Sequence, residues 1–229
     1  SKGNKKTFKE VMENKDRVVA GILAAILMTA GESYVTKHYL VNIENGHLAQ
    51  RNTTNASSST TVTSTKTVNN ASSTKSDESA VLVKSGGKAT ITGKVTKSSD
   101  ATNTESSEFN GVNAAVLVQK NGTATIKNAT IQTTGKASNA VFASGSSSKI
   151  TITDSTITTT GSSGARDLDA TYGRTVVGKN LKVTTQGASS AALATDRGEG
   201  SVTVDHSTLE TNGKGSPIIY STGKITLLH

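Results

Sequence analysis

A Thr-x-Gly triplet recurs four times at one interval. Thr133-Thr134-Gly135, Thr159-Thr160-Gly161, Thr185-Gln186-Gly187 and Thr211-Asn212-Gly213 lie 26 residues apart. The apolar residues Ile131, Ile157, Val183 and Leu209 keep the same interval ahead of them. A polar series, Asn128, Asp154, Asn180 and Asp205, is spaced 26, 26 and 25. A second apolar series, Val116, Val141, Leu168, Leu193 and Ile219, is spaced 25, 27, 25 and 26. Self-similarity at a fixed period of this size is the mark of a stacked repeat, in which each unit buries its apolar face only against its neighbours.

Each unit holds three short strings of alternating polarity. One unit contains Ala140-Val141-Phe142, then Lys149-Ile150-Thr151-Ile152-Thr153, then Thr156-Ile157-Thr158. A period of two means strands. The strings are too short for a sandwich of separate hairpins, so each unit is expected to form one turn of a parallel β-helix, every strand pairing with its counterpart one coil on. Asn or Asp between the second and third strings suits a corner residue in the left-handed region. The Gly after the third string is expected to serve the same purpose. The coils are drawn at 80–111, 112–137, 138–164, 165–188, 189–215 and from 216 onward. The first is the longest, and its excess, Ser98 to Glu108, reads as a loop bulging from the solenoid. Residues 52–79, with the strand-like string Thr61-Val62-Thr63-Ser64-Thr65, read as a degenerate first coil in preference to a surface-hugging linker.

The repeat changes the meaning of the composition. With 3% aromatic and 33% hydrophobic residues, the chain resembles a disordered one at first sight. Stacked coils need only a thin aliphatic core, Asn and Gly corners and Thr faces. The chain has no cysteine, which excludes disulfides, zinc–thiolate sites, thiol nucleophiles and iron–sulfur clusters. His38, His47, His206 and His229 are scattered, and none is a credible base or ligand. The formal net charge of +8 is spread over the chain. Aromatic residues do not interleave with the basic ones, so nucleic acid is not an expected partner.

Residues 1–50 form a separate domain by composition, ahead of the solenoid domain 51–229. A lysine-rich stretch to Arg17 precedes Val18-Val19-Ala20-Gly21-Ile22-Leu23-Ala24-Ala25-Ile26-Leu27-Met28, followed by small residues. That is the order of a secretory signal peptide. The run is shorter than the roughly 20 residues of a comfortable membrane span. As a retained helix it is expected to cap the solenoid end, where core and backbone would otherwise be open. The other readings are membrane attachment and an oligomer contact through Val18, Val19, Ile22, Leu23, Ile26 and Leu27. Tyr39 to Ile43, Asn45-Gly46 and His47-Leu48 read as strand, turn and strand. The last residues, Ile225 to His229, stop in mid-strand, as expected of a longer protein or of an end that stacks on another molecule.

One region concentrates charge. Arg166, Asp167, Asp169 and Tyr172 fall in one coil, and Asp196 and Arg197 in the next. Aligning Leu168 with Leu193 places Asp196 beneath Thr171 and Arg197 beneath Tyr172, and Tyr220 continues the same corner. These seven residues are the candidate ligand-binding set. Three readings stay open: an Asp–Arg ladder closing a wide turn, a glycan contact, or catalysis. The last would be similar to parallel β-helix polysaccharide lyases, where Ca²⁺ neutralises a uronate and a basic residue abstracts its proton. Asp167, Asp169 and Asp196 are few acids for such a site, and no cofactor is otherwise expected.

Several segments are also similar to a known group of proteins. Asn113-Ala114-Ala115-Val116, Ser189-Ser190-Ala191-Ala192 with Thr195-Asp196-Arg197-Gly198, and Ser216-Pro217 with Ile219-Tyr220-Ser221-Thr222 resemble segments of large bacterial cell-surface, adhesin-like β-helix proteins. The resemblance covers roughly residues 60–229. It implies a right-handed helix, secretion to the bacterial cell surface, and binding or scaffolding in place of catalysis. Glu199 interrupts a Gly run, Arg166 to Asp169 is more charged than that pattern, and residues 1–50 fall outside it. The expected protein is therefore all-β, a right-handed parallel β-helix with an N-terminal capping α-helix. Its expected partners are a glycan, a host or cell-surface protein, or further copies in a filament. An enzyme acting on polysaccharide is the alternative. Ice binding is disfavoured, because Val176-Val177-Gly178 breaks the Thr-x-Thr array of Thr123-Ala124-Thr125 and Thr151-Ile152-Thr153.

Overall fold

A short strand in a repeat can satisfy its backbone only by pairing with the neighbouring copy of itself. The computed structural model describes residues 52, 54–145 and 147–229, so the expectations for the N-terminal helix and its oligomer-contact residues lie outside the described residues. Parallel sheets stack there as a β-solenoid of about six turns, near 26 residues each. The strands are β1 Ser57–Val62, β2 Thr65–Ser73, β3 Glu78–Val83, β4 Lys88–Lys97, β5 Val116–Gln119, β6 Thr123–Thr133, β7 Val141–Ser144 and β8 Lys149–Thr159. They continue as β9 Leu168–Thr171, β10 Thr175–Thr185, β11 Leu193–Thr195, β12 Ser201–Asp205, β13 Thr208–Thr211, β14 Ile219–Ser221 and β15 Lys224–Leu228. A short helix, α1 (Thr104–Asn110), interrupts the series between β4 and β5.

The odd-numbered strands β1 to β11, followed by β14, form a first sheet in chain order. The second sheet runs β2-β4-β6-β8-β10-β12-β15, with β13 beside β10. The apolar series anticipated above is in register: Val116 opposes Val141, Val141 opposes Leu168, and Leu193 opposes both Leu168 and Ile219. Residues 52–79 do form a first coil, because β1 pairs with β3 and β2 with β4. The string Thr61–Thr65 is not one strand. It spans the bend between β1 and β2.

In β6, β8 and β10 the second and third strings are one strand, folded at the Asn/Asp corner, and in the next coil they are the separate strands β12 and β13. Asn128, Asp154 and Asn180 have φ of 50°, 51° and 54°. Asn180 Nδ2 donates to Asp154 Oδ1 at 2.7 Å, tying one corner to the next. The next corner is His206 (φ 47°), not Asp205, which pairs with Lys179 on the strand itself. The interval at the corner is thus uniform.

The glycine of the Thr-x-Gly triplet has a different cause from the one expected. Gly135, Gly161, Gly187 and Gly213 are absent from the positive-φ residues. Instead, a Cβ on Gly161 would overlap the carbonyl of Gly135, one on Gly187 that of Gly161, and one on Gly213 that of Gly187. At this corner successive backbones approach too closely for a side chain. Just before it, Gln186 N donates to Thr159 O and Asn212 N to Thr185 O, both at 2.9 Å. The triplet's first Thr also points inward. Thr133 and Thr159 are fully buried, and their hydroxyls donate to Ser138 O and Ala165 O at 2.7 and 2.8 Å.

Inside the coils lies a narrow aliphatic core that includes Ile91, Ile126, Ile131, Ile150, Ile152 and Ile157. Each such side chain contributes about 1.5–3 kcal/mol by burial.

The two uses of glycine separate by mutation. Gly161→Ala forces coils apart and is expected to cost about 3 kcal/mol. Gly173→Ala, at φ 74° with open space around it, is expected to cost about 1 kcal/mol. Equal shifts of the two denaturation midpoints would contradict the close-approach explanation.

Candidate functional site

The outer face of the first sheet needs a cover. Val81, Val116, Val141 and Leu168 belong to the core, so their neighbours Leu82, Leu117, Phe142 and Asp169 alternate to the outside. Leu82, Leu117 and Phe142 nevertheless form a second buried cluster with Ala114, against which Ala56 packs. The cover comes from the insertion Ser98 to Glu108, which runs as a loop to Asn103 and from Thr104 folds into α1. Asn103 caps the helix, its Oδ1 accepting from Ser106 N at 2.9 Å. Gly111 ends it in the left-handed conformation (φ 69°), packed so closely on Phe142 and Leu117 that no Cβ fits.

Polar contacts fix the helix on the sheet. Ser107 Oγ donates to Ala137 O at 2.5 Å. Thr171 Oγ1 donates to Phe109 O at 2.9 Å. Asn52 Nδ2 bonds Asn110 O and Ser144 Oγ, each at 3.0 Å, so the segment before β1 adds to the cover. The insertion in the β3–β4 coil thereby reaches across to the β9 coil.

Where the outward column turns from Phe142 to Asp169, the covered face turns from apolar to charged. Arg166 Nη1 lies 3.2 Å from Asp169 Oδ2 and 2.8 Å from Asp196 Oδ2, with all three side chains nearly buried. Its guanidinium also stands over the Tyr220 ring, 5.0 Å from the centroid. Arg197 stands over the Phe109 ring at 4.1 Å. Tyr172 N donates to Arg197 O at 2.8 Å, as the alignment of the two coils required.

The seven candidates therefore separate. Arg166, Asp169, Asp196 and Tyr220 converge, and Arg197 adjoins them through its backbone N–H, which donates to Asp196 Oδ1 at 2.8 Å. Tyr172 is half-buried in the turn after β9 (φ 53°), held by its backbone bond to Arg197 O. Asp167 is fully buried, and both its oxygens lack hydrogen-bond partners. Glu108 and Phe109 belong to the site and were not anticipated. The signal for them was Asn103 followed by Ser106 and, at the other end, Gly111, which together outline a capped helical turn. Lys97 was missed as well. It points into the coil in the row of Thr133. Its Nζ bonds Lys75 O and, at 2.5 Å, Ser99 Oγ, and burial lowers its pKa to about 8.

Burial dominates the electrostatics. It pushes Asp169 up to about 7, outweighing the opposing Arg166 charge. It raises Asp167, whose oxygens have no hydrogen-bond partner, well above the ordinary carboxylate range. Glu108 also rises through burial, against Arg166. Burial alone would depress Arg166, but Asp169 and Asp196 more than reverse this, so the guanidinium stays charged. The arrangement is an Asp–Arg–Asp link between the β9 and β11 coils. Among the described residues no three His, Asp or Glu side chains gather as a metal set, and no helix is long and apolar enough to cross a membrane.

Comparison of the chain with protein-family models, with curated proteins and with solved structures gives no match.

Two outcomes are expected. Arg166→Met leaves two buried carboxylates without a counter-charge and should cost about 3–5 kcal/mol in urea unfolding. The buried carboxyls of Asp167 and Asp169 fold more easily protonated. Their contribution is full below about pH 4, the unfolded value, and fades as pH rises through the folded ones, near 7 for Asp169. The melting temperature should therefore rise between pH 8 and pH 5, and Asp167→Asn should flatten that rise. A midpoint that falls on acidification over this range, in both proteins, would contradict the assignment.

Proposed function

We propose that this protein is an extracellular, adhesin-like or surface-scaffold module of a bacterial cell surface that acts by binding and not by catalysis. The observation that carries this reading is the outer face of the second sheet. There Thr, Lys, Ser and Asn stand in register from coil to coil on a rigid backbone ladder, for instance Thr90, Thr125, Thr151 and Thr203 in one row. Such a face offers many weak polar contacts along its length and no enclosed reaction centre.

The charged cluster supports the same reading. A lyase-like base would have to be free to take a proton. Arg166 is bonded to Asp169 and Asp196, and Arg197 is stacked on Phe109. These groups fit the structural ladder better than a reaction centre or a Ca²⁺-assisted one.

A filament-forming variant has one observation in its favour. The last coil leaves strand edges and large apolar side chains open: Ile219, Tyr220, Leu227 and Leu228 are 42–53% exposed. A further coil, from the same polypeptide or from a second copy, would cover them.

Incubation with a panel of polyuronates and Ca²⁺ should release no unsaturated product, while the fluorescently labelled protein binds saturably to polysaccharide-bearing surfaces. Catalytic turnover in that assay overturns the reading. Sedimentation should show concentration-dependent association that Leu228→Lys weakens, and strict monomers at high concentration would exclude the filament variant.

A further inference from the structure

Five of the lysines that look scattered along the chain are brought onto one facet by the coil register. The half of the second sheet before the Asn/Asp corner presents three outward rows. Row one contains Lys88, Thr123, Lys149, Thr175, Ser201 and Lys224. The middle row contains the threonines just described, interrupted by Val177. Row three contains Lys127, Thr153, Lys179, Asp205 and Leu228. Five exposed lysines thus face one carboxylate, Asp205, which the His206 ring already contacts. At the corner, Asp154 accepts from Asn180. The other carboxylates of the described region lie outside these rows. So do its aromatic residues, Phe109, Phe142, Tyr172 and Tyr220.

The order within the rows is as informative as the count. Over four successive coils the lysine alternates sides: Lys88 in row one, Lys127 in row three, Lys149 in row one, Lys179 in row three. Successive coils are about 4.8 Å apart, so each row repeats its charge at about 9.6 Å. The two rows stand four residues apart along the strand, about 13 Å, with the threonine row between them.

We propose that this facet binds a linear acidic polysaccharide lying along the solenoid axis, a β-1,4-linked polyuronate in its extended two-fold form. In such a chain successive sugars are turned by half a revolution. Their carboxylates therefore project to alternate sides, one per sugar, and each sugar advances by close to the strand spacing. The lysine zigzag is complementary to that charge pattern, and the threonine hydroxyls between the rows face the sugar hydroxyls. The footprint is four sugars, because the zigzag ends where Ser201 and Asp205 take the places of the next lysine. The absence of aromatics from the facet argues against stacked nucleobases. The inference rests on the reading of the chain as a binding module and names its ligand.

Calorimetric titration of the full chain with oligomannuronates of increasing length tests this. Affinity should rise up to about four sugars, level off beyond, and weaken with added salt. The triple variant Lys127→Gln, Lys149→Gln, Lys179→Gln should bind about tenfold more weakly. The charge-matched control Lys75→Gln, Lys136→Gln, Lys214→Gln removes exposed lysines away from the facet and should stay within about twofold of the parent. Cello-oligosaccharide, the neutral chain of the same shape, should not bind, and duplex DNA should not compete at equal charge concentration. Equal loss in both triple variants, or equal affinity for DNA, reduces the effect to net charge and overturns the proposal. Binding of the neutral oligosaccharide that ignores the lysines overturns it too, yet leaves the binding-module reading standing. No binding to any oligouronate overturns it outright, and cleavage of the oligouronate overturns both.

Discussion

The parallel backbone ladder between successive coils is the constraint on which everything else rests. It holds neighbouring strands about 4.8 Å apart and forces residues one period apart into contact. Glycine is required where two backbones nearly touch, as at Gly135, Gly161 and Gly187. A left-handed Asn, Asp or His is required where the second sheet folds. Between these corners, alternation alone decides which side chains enter the lumen. A chain poor in large residues can fold this way because each coil need only fill a thin layer against its neighbours.

The insertion before β5 adds what the repeat cannot. The largest side chains of the described region are not all in the lumen. Leu82, Leu117 and Phe142 stand outside the first sheet, and α1 closes over them. That packing carries Phe109 and Glu108 to the place where the outward column becomes Asp169. The charged cluster is thus a product of two distant segments. Arg166, Asp169 and Asp196 come from the repeat, and their cover comes from an insertion several coils earlier. Burial under that cover strengthens the ion-pair link and pushes the Asp169 carboxyl up.

Much of this was legible in the sequence, and the limits have physical causes. The interval, the three strings and the Leu168–Leu193 alignment led to the coil register and set Asp196 beneath Thr171, because those features repeat. The helix does not repeat, so Ser98 to Glu108 read as loop although Asn103 and Gly111 marked its ends. The reason for the triplet glycines was also hidden. A positive φ and a close backbone approach select the same residue, and only the geometry distinguishes them. Asp167 and Asp169 looked equivalent two residues apart. The turn between β8 and β9 leaves Asp167 without a partner while Asp169 meets Arg166. The lysine rows illustrate the same point, since charge spread evenly along a chain can still collect on one facet once the register is known.

The most direct test of the register uses the absence of native cysteine. Thr125 and Thr151 are opposed on adjacent coils, and Val177 lies one coil further in the same row. Thr125→Cys with Thr151→Cys should form an intramolecular disulfide under mild oxidation, since adjacent strands bring Cα atoms within bonding range. Thr125→Cys with Val177→Cys, two coils apart, should stay reduced within the monomer. Cross-linking of the second pair, or failure of the first in a folded protein, would contradict the 26-residue stack.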